Sequence, residues 1–195
     1  MGLKNSDNFL LPSIESAILA LKYEAPERNQ RINFLMNALG NPCRVESIFK
    51  ASEHNFMPVA FHEHCDDIED TVVLIRTEYG KTIGGYTHYP WTSPPDWDFV
   101  RDEGRRSFIF SLDMMEIFVP QQDKFLICCN GGYGPGFGSG KDIAIEFGCN
   151  TTPSSFAYFP STYNRPGENK LERNQETFEM FCGADAGHNF KIEEY

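Results

Sequence analysis

The chain has 195 residues, of which 41% are apolar and 14% are aromatic, so a wholly disordered chain is excluded. It has 28 acidic and 17 basic residues, which gives a formal net charge of -11. Nucleic acid and anionic membrane surfaces are therefore disfavoured as partners, because both are bound through a basic surface. No apolar run approaches the roughly 20 residues that a transmembrane helix needs.

The first six residues predict no signal peptide, because they lack an apolar stretch with a cleavage site. They do match the pattern for myristoylation of Gly2, which has a serine or threonine at position six. A single myristoyl chain binds membranes only marginally, and Lys4 alone is no polybasic partner. We expect a cytoplasmic protein with six reduced cysteines, and the sequence leaves open whether Gly2 is acylated.

Two short helices are predicted in the first part of the chain. Residues 13–23 have apolar side chains at helical spacing. Residues 27–39 repeat this pattern, with Pro26 suited to the first turn and Gly40 to the end. A helical pair this short buries little by itself and needs the rest of the chain or a partner to pack on. We therefore predict an N-terminal helical extension over residues 1–42 and a separate domain over residues 43–195.

The pattern then changes to that of short strands. Residues 58–65 predict a short helix, and residues 71–77 predict a strand buried on both faces. Its partner is predicted over residues 81–89, where Gly84 and Gly85 indicate a bulge or a close approach of two backbones.

The rest of the chain predicts further strands joined by glycine-rich turns. We expect a long loop over residues 90–106, and strands over 107–112, 125–129, 142–147, 177–182 and 188–195. Phe147 is expected to point inward, and the last two strands are expected to form a closing pair. The predicted fold class is α+β, an antiparallel β-sandwich of two sheets with flanking helices, preceded by the short helical pair.

The densest polar cluster is at residues 62–67. His62, His64 and Cys65 are zinc-ligand types, but two histidines two residues apart diverge by about 200° on a helix. A fourth ligand would have to come from a distant residue such as His88 or His188. The favoured interpretation is a helix end followed by an acidic loop, with no metal.

The glycine-rich segment 131–141 does not match a phosphate-binding loop. A Walker loop needs glycine where Pro135 stands and a hydroxyl residue where Asp142 stands. The segment also precedes a predicted strand, whereas phosphate loops lead into a helix. We interpret it as a tight β-connection, and we expect no cofactor and no catalytic residue.

A series of short motifs follows one another along the chain. They lie at residues 48–52, 61–66, 71–75, 83–87, 90–91, 107–112, 134–138, 142–145, 161–163 and 190–194. Their order resembles that of a TLDc domain, the module of the oxidation-resistance proteins. The resemblance covers about residues 43–195. It implies a sandwich fold. From the residues themselves, we expect Gly84 and Gly85 to allow close packing in a central strand and Phe137 to anchor a turn from the inside.

The resemblance also implies a non-enzymatic, protein-binding role linked to oxidative-stress resistance. Several proteins of this family bind the vacuolar proton-translocating ATPase, and no catalytic residue carries over. We therefore expect a module that engages a large assembly such as that ATPase, with endolysosomal membrane contact only if Gly2 is myristoylated. Tyr89, Pro90, Trp91 and Trp97 are the candidate interaction surface.

Two alternatives stay open at this point. The chain could be a structural subunit of a permanent assembly, docked through its N-terminal helical pair. It could also be a thiol- or metal-dependent enzyme that removes oxidants. The latter requires Cys65 to lie within hydrogen-bonding reach of His62, His64 or His88 in an open cleft.

Overall fold

The computed structural model describes residues 24–40, 45–101, 104, 107–121, 124–167, 169–184 and 189–195. Two antiparallel sheets of six strands each pack together, and these residues also form three α-helices and one 3-10 helix. The predicted α+β sandwich is therefore confirmed. Within these ranges, no helix has the length and hydropathy required to cross a membrane.

Helix α1 spans Ala25–Leu39 and confirms the second predicted helix. Pro26 lies in its first turn, where the missing N–H costs no hydrogen bond. Gly40 ends it with a φ of 83°, a value that glycine adopts without strain. Of its apolar residues at helical spacing, Ile32, Leu35 and Met36 are buried.

The chain consists of two compact units: the first ends at Ile48, and the second runs from Phe49 to Tyr195. The sandwich lies in the second unit. The predicted helix at 13–23 and the predicted modification of Gly2 lie outside the described residues. The predicted domain boundary after residue 42 stays a prediction.

The sandwich contains twelve described strands, most of them short. In chain order they are β1 (Thr71–Thr77), β2 (Thr82–Thr87), β3 (Asp98–Arg101), β4 (Ser107–Ser111), β5 (Glu116–Pro120), β6 (Phe125–Cys129), β7 (Gly136–Phe137), β8 (Ile143–Ala144), β9 (Ser155–Phe156), β10 (Tyr163–Asn164), β11 (Asn189–Phe190) and β12 (Ile192–Glu194). The first sheet has the order β10-β5-β4-β2-β1-β12. The second has the order β11-β9-β8-β7-β6-β3, which leaves β3 at an edge.

Aromatic side chains fill the space between the sheets. Phe118, Phe137, Phe159 and Phe181 are fully buried. The rings of Phe159 and Phe181 stack with centroids 4.2 Å apart, and Phe118 meets Phe159 edge-on at 4.6 Å. Burial of each such ring contributes about 1.5–3 kcal/mol, so this layer is a main source of the sandwich's stability.

The two adjacent glycines of β2 allow the close approach that the sequence predicts. A Cβ atom at Gly85 would lie 2.5 Å from the ring of Phe137, which comes from the second sheet. A Cβ atom at Gly84 would collide with the backbone oxygen of Val73 on β1. Side chains at these positions would therefore force the sheets or strands apart.

Helix α2 spans Pro58–Cys65, as predicted, and follows the 3-10 helix Ala51–His54. Helix α3 spans Gln175–Phe181, where the sequence analysis predicts a strand. The prediction is wrong because this segment has a helix start signal: the Asn174 side chain accepts a hydrogen bond from the Thr177 N–H at 2.9 Å. Thr177 and Phe181, four residues apart, are then both buried.

Other local predictions are also wrong. The segment 90–106 contains strand β3 rather than only a loop, and β5 has no predicted counterpart. Phe147 is 63% exposed, because β8 ends at Ala144 and the alternating pattern stops there. The segment 188–195 does not pair with 177–182, since β11 and β12 within it join different sheets.

Candidate interaction surface

Trp91 belongs to the core and not to an exposed surface. Only 1% of it is exposed, and its ring meets Phe61 and Phe137 edge-on at 5.7 and 5.5 Å between centroids. Its indole N–H donates to Thr71 Oγ1 at 2.9 Å, which satisfies the one polar group that burial would leave without water. The expected exposure of Trp91 is therefore wrong, because this side chain is part of the hydrophobic core.

Tyr89 and Pro90 are half-buried. Tyr89 packs against the core cluster, and its backbone N–H donates to Thr87 Oγ1 at 3.1 Å. With Trp91 turned inward, residues 89–91 do not form the continuous exposed patch that we expected. A binding role for Tyr89 and Pro90 stays a prediction.

Trp97 lies apart from these residues, directly before the edge strand β3. It is half-buried, and its ring is 4.5 Å from that of Tyr133. The Lys141 ammonium nitrogen sits 3.8 Å from the centroid of Trp97, within the range of a cation–π interaction. Of the predicted surface residues, Trp97 is thus the one placed in an aromatic and cationic environment.

A row of neighbouring residues crosses the outer face of the second sheet. Facing residues on neighbouring strands point to the same side of a sheet. One such row runs from β3 to β9. The residues next to it along the strands, such as Phe137, point into the core, so the row itself is on the outer side of the sheet. The row consists of Phe99, Cys128, Gly136, Ala144 and Phe156. We call this row the trough, because small residues at its centre lie between a phenylalanine at each end. Its floor is closed to solvent, since Cys128 and Ala144 are each 1% exposed and Phe156 is 8% exposed.

Lys141 is held against aromatic rings at this trough. Its ammonium nitrogen is 5.4 Å from the ring centroids of both Tyr133 and Phe156. Burial raises the pKa of the Cys128 thiol to about 12; Cys129 and Asp142 add to this shift, and the Lys141 charge partly opposes it. A Cβ at Gly136 would lie 2.5 Å from the Cys128 sulfur, so the floor requires glycine there.

The aromatic contacts continue from Trp97 along the β3 edge. Trp97 stacks with Phe99 at 6.4 Å between centroids, and Phe99 lies 5.8 Å from Phe125. The Arg101 guanidinium carbon lies 4.8 Å from the centroid of Phe125. Phe99 is 36% exposed, so this end of the contact chain is open to solvent.

A matching set of contacts continues on the other side of Lys141. Phe156 lies 4.9 Å from Tyr158, and the Arg173 guanidinium carbon is 4.6 Å from the Tyr158 centroid. The connected residues form a surface that we name the outer strip: Trp97, Phe99, Arg101, Phe125, Tyr133, Lys141, Phe156, Tyr158 and Arg173. It places a cation over an aromatic ring at each end and near its centre.

The cations of the outer strip are not neutralised by the described part of the chain. Some basic residues elsewhere in it form ion pairs with carboxylates, for instance Arg165 with Glu116 at 2.7 Å. Arg101, Lys141 and Arg173 form no ion pair with any described acidic residue, and neither do Arg28, Lys81, Lys124 and Lys170. The outer strip thus brings three unpaired cations together on one face of a protein with an excess of acidic residues.

The polar cluster at α2 is occupied by internal hydrogen bonds. His62 is buried, with Nδ1 2.7 Å from the Asp66 carboxylate and Nε2 2.9 Å from the Tyr133 carbonyl oxygen. Cys65 is 4% exposed, and burial, reinforced by Asp66, raises the pKa of its thiol to about 12. His62 thus ties α2 to the glycine-rich segment, and Cys65 lacks the open cleft and low pKa that a nucleophile needs.

Metal chemistry gains no support from the described residues, which contain no group of three potential ligands in metal-binding proximity. All five described cysteines are buried and free.

The glycine-rich segment is a connection around β7, as we interpreted it, and it ends at the buried carboxylate of Asp142. This group accepts hydrogen bonds from the backbone N–H groups of Ser161 at 2.6 Å and Thr162 at 2.7 Å. Burial nevertheless raises its pKa to about 6, because desolvation outweighs these hydrogen bonds. Asp142 thereby holds the chain just before β10 and fixes the position of the adjacent Lys141.

Sequence reasoning finds Trp97 and misses the rest of the outer strip. The members of the outer strip lie on strands β3, β6 and β9 and in connecting segments between residues 97 and 173. A local signal exists only at 97–101, where Trp97, Phe99 and Arg101 occupy every second position of a segment predicted as a loop.

The fold is an antiparallel α+β sandwich with an aromatic and cationic outer face. The family model of the TLDc domain matches residues 25–194, and the chain belongs to this family. The match includes helix α1, which lies outside the domain boundary that the sequence predicts. No curated protein matches the chain.

Proposed function

We propose that this TLDc-domain protein is a non-enzymatic binding module that engages a large assembly, with the vacuolar proton-translocating ATPase as the first candidate. The proposal places it in the cytoplasm, or peripherally on endolysosomal membranes, with a role in oxidative-stress resistance. Membership of the TLDc family supports this assignment, because the resemblance implies these partners and this role.

The outer strip is the observation that carries the binding role. Monomeric proteins usually cover or disperse aromatic side chains, and contiguous aromatic patches are typical of interaction sites. Tryptophan, tyrosine, phenylalanine and arginine are the residues enriched at protein interfaces, and they are those of the outer strip.

The burial of Cys65 weighs against the alternative in which this thiol removes oxidants. Its pKa of about 12 leaves almost no thiolate at neutral pH, and its neighbour Asp66 raises the pKa further rather than lowering it. A protective role through a partner is therefore the better-supported link to oxidative stress.

The test is co-sedimentation of the purified chain with the purified ATPase on a density gradient. We expect the chain to migrate with the enzyme, and the double variant Trp97→Ala/Phe99→Ala to remain at the top. The matched control is Tyr79→Ala, which removes an exposed aromatic side chain of the β1–β2 turn, outside the outer strip. Failure of the unmodified chain to migrate with the enzyme would exclude this partner. A complex with the ATPase that does not dissociate at high salt would favour the alternative in which the chain is a structural subunit.

A further inference from the structure

We propose that the outer strip binds an extended acidic segment of a partner protein, whose carboxylates pair with Arg101, Lys141 and Arg173. This inference rests on the proposed binding function and adds the chemistry of the partner. It commits to a protein segment, and the other possible occupants of the surface are outcomes of the test below.

Charge is the first argument for an acidic occupant. Among the described residues, Arg31, Lys50, Arg76, Arg165 and Lys191 form ion pairs with carboxylates of the chain itself. The three cations of the outer strip form none, and in this they resemble Arg28, Lys81, Lys124 and Lys170. They differ from those four residues because they lie together on one face, each over an aromatic ring. An external carboxylate can therefore pair with all three.

The contact of the cations with aromatic rings is the second argument. Arg101 and Arg173 lie over aromatic rings, at 4.8 Å and 4.6 Å from the centroids. A guanidinium over a ring face can still bind a carboxylate through the N–H groups at its edge, with two parallel hydrogen bonds. The ring contact also restricts the side chain in advance, which lowers the entropic cost of binding.

The nearest acidic residue in β3 does not oppose this charge. Asp98 faces Cys129, a core residue, in the β3–β6 register, whereas Phe99 faces Cys128 on the outer side. Asp98 is exposed, and its carboxylate accepts a hydrogen bond from the Phe99 N–H at 2.8 Å. By register, Asp98 belongs to the opposite face of the strand from the trough.

The size of the surface fits an extended segment. From β3 to β9 the outer strip crosses four strand spacings, or about 19 Å at about 4.8 Å each. An extended chain rises about 3.3 Å per residue, so roughly six residues span this distance. Alternate side chains of such a segment face the surface, which suits carboxylates placed at every second residue.

The test measures the binding of fluorescein-labelled peptides of about ten residues to the purified full chain by fluorescence anisotropy. One peptide alternates glutamate with serine, and its matched control replaces every glutamate with glutamine. We expect the glutamate peptide to bind and the glutamine peptide not to bind. We also expect affinity to fall as sodium chloride is raised from about 0.05 to 0.5 M, because the screening length shortens.

Variants locate the site without disturbing the core. Arg101→Gln/Arg173→Gln removes two exposed cations, and we expect roughly tenfold weaker binding of the glutamate peptide. Lys141→Gln is expected to weaken binding several-fold on its own. Lys50→Gln is the control, because it removes an exposed cation that is already paired with Glu53 at 3.4 Å.

Several results would overturn the inference. These are no binding of the glutamate peptide, equal binding of the two peptides, or equal binding by the double variant and the unmodified chain. Tighter binding of a labelled ten-nucleotide DNA strand would point to a phosphate-bearing ligand instead. Self-association in sedimentation velocity that the double variant loses would make the face an interface between copies. If the chain binds the ATPase but not the glutamate peptide, the proposed function stands and this inference fails. If the chain binds the glutamate peptide but not the ATPase, this inference stands and only the ATPase is excluded as the partner.

Discussion

The buried carboxylate of Asp142 should give the protein an unusual dependence of stability on pH. Its pKa is about 6 in the folded state and 3.8 in its ordinary state, because burial disfavours the charged form. The folded state therefore holds this proton more tightly than the unfolded state does. Stability from this group is fully present below about pH 3.8 and is lost as the pH rises through about 6.

The size of the effect follows from this difference. Each pKa unit corresponds to about 1.36 kcal/mol, so ionised Asp142 costs the folded state about 3 kcal/mol at neutral pH relative to the protonated form. About half of this cost, roughly 1.5 kcal/mol, develops between about pH 5 and about pH 7.5. The other carboxyl groups also make stability depend on pH. Their contribution is the same in a variant that changes only Asp142, so it cancels in the comparison.

Asp142→Asn isolates the contribution of this group. Urea unfolding of the original chain and the variant at about pH 5 and about pH 7.5 gives four free energies of unfolding. We expect the variant to be destabilised overall, because its amide N–H₂ group meets the Thr162 N–H. The free-energy difference between the two proteins should shrink by roughly 1.5 kcal/mol from the lower to the higher pH. Parallel pH profiles for the two proteins would refute the reasoning.

Three further predictions concern the core and the thiols. Gly85→Ala should lower the free energy of unfolding by at least about 1–3 kcal/mol, because its Cβ would lie 2.5 Å from the Phe137 ring; an unchanged urea midpoint would contradict the packing described. Trp91→Phe should cost about 1–3 kcal/mol through loss of the 2.9 Å hydrogen bond to Thr71, again measured by urea unfolding, and a change within error would contradict the burial of that bond. Iodoacetamide at about pH 8 should leave the native thiols unmodified and label them after guanidinium is added, as mass spectrometry would show. Rapid native labelling would contradict their burial, and the thiols concerned are Cys65, Cys128, Cys129, Cys149 and Cys182.

The sequence predicts those elements whose signals are local. Helix α2 begins at Pro58, and strand β1 is a run of β-branched residues that ends at a glycine turn. Gly84 and Gly85 predict close packing because few other roles require two glycines inside a strand. These features depend on neighbours in the chain, and the structure confirms them.

Predictions fail where the outcome depends on distant segments. Strand β8 has two residues and β9 has two, too few for an alternating pattern to show which side is buried. Trp91 follows a proline in a polar loop, and only its position against Phe61 and Phe137 makes it a core residue. Helix α3 is missed because its aromatic residues suit a strand as well, although Asn174 offers a helix cap.

The outer strip could not be assembled from the sequence for the same reason. Trp97 and Lys141 are 44 positions apart, and their 3.8 Å contact exists because β6 and β7 bring both to one face of the second sheet. Arg173 enters from a segment before α3, beyond any local pattern. The composition gives no indication of this surface either, because a net charge of -11 does not predict a local group of cations without ion pairs.

Hydrogen–deuterium exchange of the chain, free and bound to the ATPase, tests the central claim most directly, because it shows which face meets a partner. We expect slower exchange on binding in the backbone amides of β3, β6 and residues 156–158, and no change in β1 and β2, which belong to the other sheet. Protection confined to the first sheet, with β3 exchanging as fast as in the free chain, would contradict the claim that the protein acts through its outer strip.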